Sequence, residues 1–198
     1  MSSLDSKLKD AIWIAKTLFD RNKATGSSAN LSFLHEGCIY ITGSGTCFGT
    51  LTEDDFSVTN MAGEHISGIK PSKELPLHKT LYGKNSSIQA VIHTHSFYST
   101  LWSCLKHNNE KDIIPTYTPY LKMKVGTIGL IPYGKPGSQK LFDLFTDRVN
   151  DSDGYILQNH GPVIGDKDLM TAFHCLEELE ESARIAWELR NEEAILIG

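Results

Sequence analysis

The sequence predicts an α/β domain in which helices flank a largely antiparallel sheet. Three observations carry that expectation: single-stripe helical periodicity at both ends of the chain, short apolar strand segments between them, and strand pairs close enough to be joined as hairpins. At 198 residues and 22.0 kDa the chain is long enough to bury a core as one domain spanning residues 1–198, and no repeat, low-complexity tract or Pro/Gly-rich linker divides it.

The elements follow in order. Leu4, Leu8, Ala11, Ile12, Ala15, Leu18 and Phe19 form the buried stripe of a first helix, and Gly26 closes the region. Leu31–Leu34 and Cys38–Thr42 read as strands joined by His35-Glu36-Gly37, and the second runs into the small polar loop Gly43-Ser44-Gly45-Thr46. Pro71-Ser72 opens a helix of about ten residues that ends near Gly83. Ala90-Val91-Ile92 leads a strand that carries His93 and His95, and Ser96–Leu105 reads as a helix. Strands return at Thr127–Ile131, Gly154–Gln158 and Pro162–Gly165. The last helix runs from Asp168 to Asn191, with Leu169, Ala172, Phe173, Leu176, Leu179, Ala183 and Ala186 on its apolar stripe.

Composition excludes several classes of protein. With 40% hydrophobic and 22% charged residues the chain is not of disordered type. A net charge of −5 and the lack of any Lys/Arg cluster argue against a nucleic-acid partner. The run Glu177-Glu178-Leu179-Glu180-Glu181 reads as the solvated face of a helix. No apolar stretch approaches the ~18 residues that span a bilayer, and Met1-Ser2-Ser3-Leu4-Asp5 has no signal-peptide core. Cys38, Cys47, Cys104 and Cys175 form no C-x-x-C pair, so reduced thiols and a cytoplasmic protein are expected. Neither a G-x-G-x-x-G nor a Walker A segment is present.

The chemistry lies in the histidines. In His93-Thr94-His95 the two imidazoles leave an apolar strand on one face, roughly 6.5–7 Å apart along the chain. One buried histidine is usually a satisfied polar group, but two at this spacing are hard to explain as packing. Asn159-His160-Gly161-Pro162 adds a third histidine at a strand end. Three imidazoles leave coordination positions open, which is the pattern of a catalytic rather than a structural Zn²⁺ site. His35, His65, His107 and His174 lack such partners and read as structural or exposed. Acidic residues are favoured in any first helical turn, yet a Ser72 capping box would place its Glu at 75, where Leu75 stands; Glu74 is therefore a candidate acid/base. Small polar turns holding Ser28 and Asn30, then Thr42, Gly43 and Ser44, and the helix start at Ser72 and Lys73, are candidate anion sites.

These segments together, Gly26…Asn30-Leu31-Ser32, Ile41-Thr42-Gly43, Pro71-Ser72-Lys73-Glu74, His93-Thr94-His95 and Asn159-His160-Gly161, resemble the class II aldolase/adducin family along nearly the whole chain. The resemblance implies a three-layer α/β/α domain with a central, mainly antiparallel sheet, and a homotetramer with active sites between subunits. It implies Zn²⁺ on His93, His95 and His160, one ion per chain, with Mn²⁺ or Co²⁺ as substitutes. It makes Glu74 an acid/base able to sit on the metal when substrate is absent, and Asn30, Thr42, Gly43, Ser44 and Ser72 the phosphate site. Pro119-Tyr120 resembles a subunit-crossing Pro-Tyr segment, which makes Tyr120 a second candidate proton donor.

Within the family the resemblance is nearest to the 3-oxo-tetronate 4-phosphate decarboxylases, through Lys70-Pro71-Ser72-Lys73-Glu74, Thr118-Pro119-Tyr120-Leu121-Lys122-Met123-Lys124-Val125-Gly126, Ile131-Pro132-Tyr133 and the Glu177–Glu181 segment. Sugar-phosphate members carry a functional tyrosine in a C-terminal tail; here Tyr155 is the last tyrosine. The expected reaction is decarboxylation of a 3-oxo-tetronate 4-phosphate to dihydroxyacetone phosphate and CO₂ through a metal-stabilised enediolate, the work of a carboxy-lyase. The alternatives are an aldolase (aldehyde-lyase) or 4-epimerase on a sugar phosphate, and a metal-binding module without turnover. Lys73 is expected on the phosphate, since a salt bridge to the departing carboxylate would stabilise the ground state.

Overall fold

The computed structural model describes residues 3–197. Its centre is an eight-stranded sheet, built from β1 (Asn30–His35), β2 (Cys38–Thr42), β3 (Phe56–Asn60), β4 (His65–Gly68), β5 (Ala90–His93), β6 (Ile128–Ile131), β7 (Gly154–Leu157) and β8 (Gly161–Asp166). The strand order is β4-β3-β2-β1-β5-β8-β7-β6, and every pair is antiparallel except β6 with β7. The β1–β2 hairpin turns on Glu36 and Gly37, with φ of 48° and 77°. Two left-handed residues in a two-residue loop match the right-handed twist of the strands they join.

The helices are α1 (Leu4–Asp20), α2 (Leu75–Lys84), α3 (Phe97–Ser103), α4 (Tyr120–Lys124), α5 (Gln139–Arg148) and α6 (Leu169–Leu189). Alternation along the strands divides the interior into two cores. Leu31, Phe33, Ala90, Ile92 and Ile156 face α1 and α6, whereas Ile39, Ile41, Val91, Tyr155 and Leu157 face α2 and α5. Helices on both faces of a mainly antiparallel sheet give the expected three layers. Both end helices start on side-chain caps: Ser3 accepts from the Ser6 N–H, and Asp168 accepts from the Thr171 N–H at 2.7 Å.

Several boundaries differ from the sequence expectation. The helix expected from Pro71-Ser72 begins at Leu75, with Glu74 as its N-cap residue. Pro71 instead bridges Gly43, and the Ser44 N–H donates to the Lys70 carbonyl, so this stretch is extended and tied to the loop after β2. β5 ends at His93, which leaves His95 in the connection to α3. The strands β3 and β4 and the helices α4 and α5 have no counterpart in the sequence reading. β3 buries Ser57 and Thr59 and β4 is exposed throughout, so neither shows apolar alternation.

Candidate metal centre and active site

The register of two strands begins the site. Asn30 on β1 pairs with His93 on β5, and Ser32 pairs with Val91. All four therefore face α2, whose N-terminus brings Glu74 over the end of β5. β8, paired with β5 on the other side, is preceded by the turn that carries His160.

That turn is held closely. Asn159 is left-handed, at φ 55°, a conformation asparagine tolerates better than most residues. Its N–H donates to the Ser103 hydroxyl at 3.1 Å, and the Thr100 hydroxyl donates to the His160 carbonyl at 3.2 Å. A Cβ on Gly161 would sit 2.2 Å from the Thr94 carbonyl oxygen, so only glycine lets this turn lie against the His93–His95 segment.

His93, His95 and His160 come together, each offering one ring nitrogen within 4.8 Å of the others. His93 donates from Nδ1 to the Pro162 carbonyl at 2.8 Å, which fixes its tautomer and turns Nε2 toward the cluster. Glu74 closes the group: Oε2 lies 3.3 Å from His93 Nε2, and Oε1 lies 3.5 Å from His160 Nε2. His93 Nε2, His95 Nε2, both His160 ring nitrogens and Glu74 Oε1 are buried without a hydrogen-bond partner. Unpartnered polar atoms are costly in an interior, and a divalent cation would take one ring nitrogen from each histidine and the Glu74 oxygen together, leaving the second His160 nitrogen outside its reach. Burial, then the neighbouring His95, pushes His93 down to about 3 against the opposing Pro162 carbonyl. Burial, then His93, pushes His160 down to about 3. His95 is lowered by burial, with Glu74 opposing and Lys73 assisting. Neutral imidazoles are the form a metal requires.

The remaining candidates fall into two groups. Asn30 is buried against the centre and donates from Nδ2 to Glu74 Oε2 at 3.1 Å. Ser72 is buried and its hydroxyl accepts from the Glu74 N–H at 3.3 Å. Lys73 is exposed, runs beside Gly137, and its charge reaches His95 and His160. Thr42 and Gly43 are buried and Ser44 is exposed, all beside Pro71. The backbone N–H groups expected to cradle an anion here are committed internally: Gly43 to the Asp55 carbonyl, Ser44 to Lys70, Ser72 to Thr42. The Thr42 hydroxyl accepts from the Leu31 N–H, and Ser28, half-buried, donates to the Thr25 carbonyl. Tyr120 opens α4 at 56% exposure and makes no hydrogen bond with the histidines among the described residues.

Two buried groups escaped the sequence reading. His78, four residues after Glu74 on α2, is fully buried and bonded to both Asn30 and Ser32. Glu180, read with its neighbours as solvated, is 2% exposed. Its carboxylate accepts from the Tyr98 and Ser99 N–H groups at 2.9 Å and from the Ser99 hydroxyl at 2.7 Å. It thereby caps α3 just beyond His95. The one available signal for both was position: each falls on the inward stripe of an otherwise apolar helix.

An α/β/α domain that gathers three imidazoles and a carboxylate at one end of a mainly antiparallel sheet has the donor set to hold a divalent metal ion. The chain belongs to the class II aldolase and adducin family: it matches the Class II Aldolase and Adducin N-terminal domain over residues 9–187. It is 39% identical to a 3-oxo-tetronate 4-phosphate decarboxylase of Escherichia coli O6:H1 over 177 residues, 89% of this chain and 84% of that protein. It is also 39% identical to an L-fuculose phosphate aldolase of Methanocaldococcus jannaschii over 177 residues, 89% of this chain and 93% of that one. The crystal structure of YgbL from Klebsiella pneumoniae superimposes with a TM-score of 0.96 at 36% identity, covering 100% of this chain and 96% of that one.

Proposed function

We propose that residues 1–198 form one catalytic domain that decarboxylates a 3-oxo-tetronate 4-phosphate to dihydroxyacetone phosphate and CO₂. The observation that carries this reading is Glu74 poised 3.3 Å and 3.5 Å from two members of a three-histidine cluster, in a chain 39% identical to a decarboxylase of that name. A β-keto acid loses CO₂ once the ketone can accept two electrons. The chemistry supplied at His93, His95 and His160 by a bound divalent ion, Zn²⁺ by preference and Mn²⁺ or Co²⁺ as substitutes, is polarisation of that ketone and stabilisation of the enediolate charge.

The chain's own residues do the rest. Glu74 delivers the proton to the former C2, with Tyr120 of a neighbouring subunit as the second candidate. Ser28, Asn30, Thr42, Gly43, Ser44, Ser72 and Lys73 form the phosphate end of the site. Its hydrogen bonds come from side chains: the hydroxyl of Ser72, the second amide hydrogen of Asn30 and the ammonium of Lys73. Exposed Phe97, Tyr120 and Met123 support an assembly, which we take to be a homotetramer with sites between subunits. No helix of the described residues is long and apolar enough to cross a membrane, in line with a cytoplasmic enzyme.

The 39% identity to an aldolase keeps a second reading open, aldol cleavage or 4-epimerisation of a sugar phosphate. Incubation with 3-oxo-tetronate 4-phosphate, followed by assay of CO₂ and dihydroxyacetone phosphate, separates the two. Equimolar release of both products is expected. Turnover of L-fuculose 1-phosphate with none of the keto acid would overturn the decarboxylase assignment.

A further inference from the structure

Behind the metal centre runs a chain of buried hydrogen bonds whose direction is fixed. A carboxylate only accepts, so the Asn30 atom facing Glu74 Oε2 is the amide nitrogen, and Asn30 Oδ1 faces the other way. That oxygen lies 2.6 Å from His78 Nε2 and only accepts, so His78 is the Nε2–H tautomer. Nδ1 is then an acceptor, 2.7 Å from the Ser32 hydroxyl, which in turn lies 2.6 Å from the Tyr82 hydroxyl. The only consistent order is Tyr82 to Ser32 to His78 to Asn30 to Glu74, each donating to the next. Geometry explains the fit: Asn30 and Ser32 stand two apart on one face of β1, and Glu74, His78 and Tyr82 stand four apart along α2. Asn30, Ser32, Glu74, His78 and Tyr82 are all 5% exposed or less.

We infer that His78 is a positioning residue for the reaction: it locks the Asn30 amide so that Nδ2 points at Glu74, and so holds that carboxylate against the histidine cluster. His78 touches neither the substrate nor the cluster through a hydrogen bond; it acts through Asn30. The burial that pushes His78 down to about 3 keeps it neutral, as the order requires. The inference rests on the reading of Glu74 as the proton-transfer group.

The test has two arms. In metal-free wild-type protein, ¹⁵N NMR of the histidine rings should show His78 protonated on Nε2 and bare on Nδ1. A proton on Nδ1 would reverse the order and overturn the inference whatever the substrate is. In the zinc-loaded enzyme, His78→Leu fills the volume without either hydrogen bond, and His78→Gln keeps a donor toward Asn30. Loss of a supporting partner of this kind costs about 10–100-fold. His78→Leu should therefore lose that much, mainly in kcat, with metal content unchanged, and His78→Gln should restore most of it. In an Asn30→Ala background His78→Leu should cost little more, because the two act as a unit. Wild-type kcat in His78→Leu, or full additivity with Asn30→Ala, would overturn it. Wild-type protein with the expected tautomer but no turnover of the keto acid would instead sink the functional reading, and the same variants would then be read on L-fuculose 1-phosphate.

Discussion

Glu74 makes the sharpest claims at the scale of single residues. As the group that moves a proton, it should tolerate Glu74→Gln with metal bound but lose ~10²–10⁴ in rate, the usual size of a general acid/base contribution. Tyr120→Phe should lose less. In D₂O the wild type should place deuterium at one prochiral position of the product; near wild-type rate and intact stereospecificity in Glu74→Gln would pass the role to Tyr120. For the phosphate end, Ser72→Ala should raise KM about tenfold, one charge-assisted hydrogen bond of roughly 1.5–3 kcal/mol, without changing metal content. Asn30→Ala should lower kcat as well, because Asn30 also holds Glu74 at 3.1 Å. Equal turnover of phosphorylated and unphosphorylated substrate would contradict the phosphate site. The histidine trio was legible because a His-x-His at the end of an apolar strand and a His-Gly turn both carry geometry in one dimension, even though the strand ends at His93 and His95 lies just past it. His78 was not, because its partners Asn30 and Ser32 lie 48 and 46 residues away on another element, and helical periodicity says only that position 78 faces inward.

Elements hold the site through contacts that periodicity does not report. The α3 helix begins two residues after His95 and is capped by Glu180 of α6, not by a local side chain. Glu180→Ala strips three hydrogen bonds from a buried helix end and should cost about 2–4 kcal/mol, read by urea unfolding. Glu180→Gln should recover part of it. An effect below about 0.5 kcal/mol would mean the run is solvated after all, as its charge pattern first indicates. At the other end of the site, Gly161→Ala would press a methyl to 2.2 Å from the Thr94 carbonyl and displace the segment that carries His95. Its zinc affinity, measured by chelator competition, should fall tenfold or more. The three layers came with the family resemblance, whereas the first hairpin was readable from two short apolar segments joined by His35-Glu36-Gly37, and helices flanking a mainly antiparallel sheet from the end-helix stripes and close strand pairs. The start of α2 was not, because Pro71-Ser72 bears helix-start signals but is recruited into a bridge with Gly43.

Whole-molecule stability should follow the buried imidazoles. His78, His93 and His160 are each pushed from 6.5 to about 3, chiefly by burial. The unfolded chain takes up protons below 6.5 that the folded one refuses, so the stability of the metal-free protein is held in full above that pH. It falls as pH drops and is lost by about 3. Calorimetry at pH 5 in buffers of different ionisation enthalpy should show proton uptake by the buried histidines on unfolding, His95 among them, and less of it in His78→Gln. No uptake would mean these side chains are already charged in the folded state.

Decarboxylation at the His93, His95 and His160 centre requires a bound metal ion, and one titration tests this dependence. Metal-free protein is given Zn²⁺ in steps, with bound metal per chain and CO₂ release from 3-oxo-tetronate 4-phosphate measured on the same samples. CO₂ release should rise in proportion to bound metal, saturate at about one ion per chain, and vanish in His95→Ala/His160→Ala together with the bound ion. Full-rate CO₂ release from the metal-free protein, or full metal occupancy in that double variant, would contradict the account.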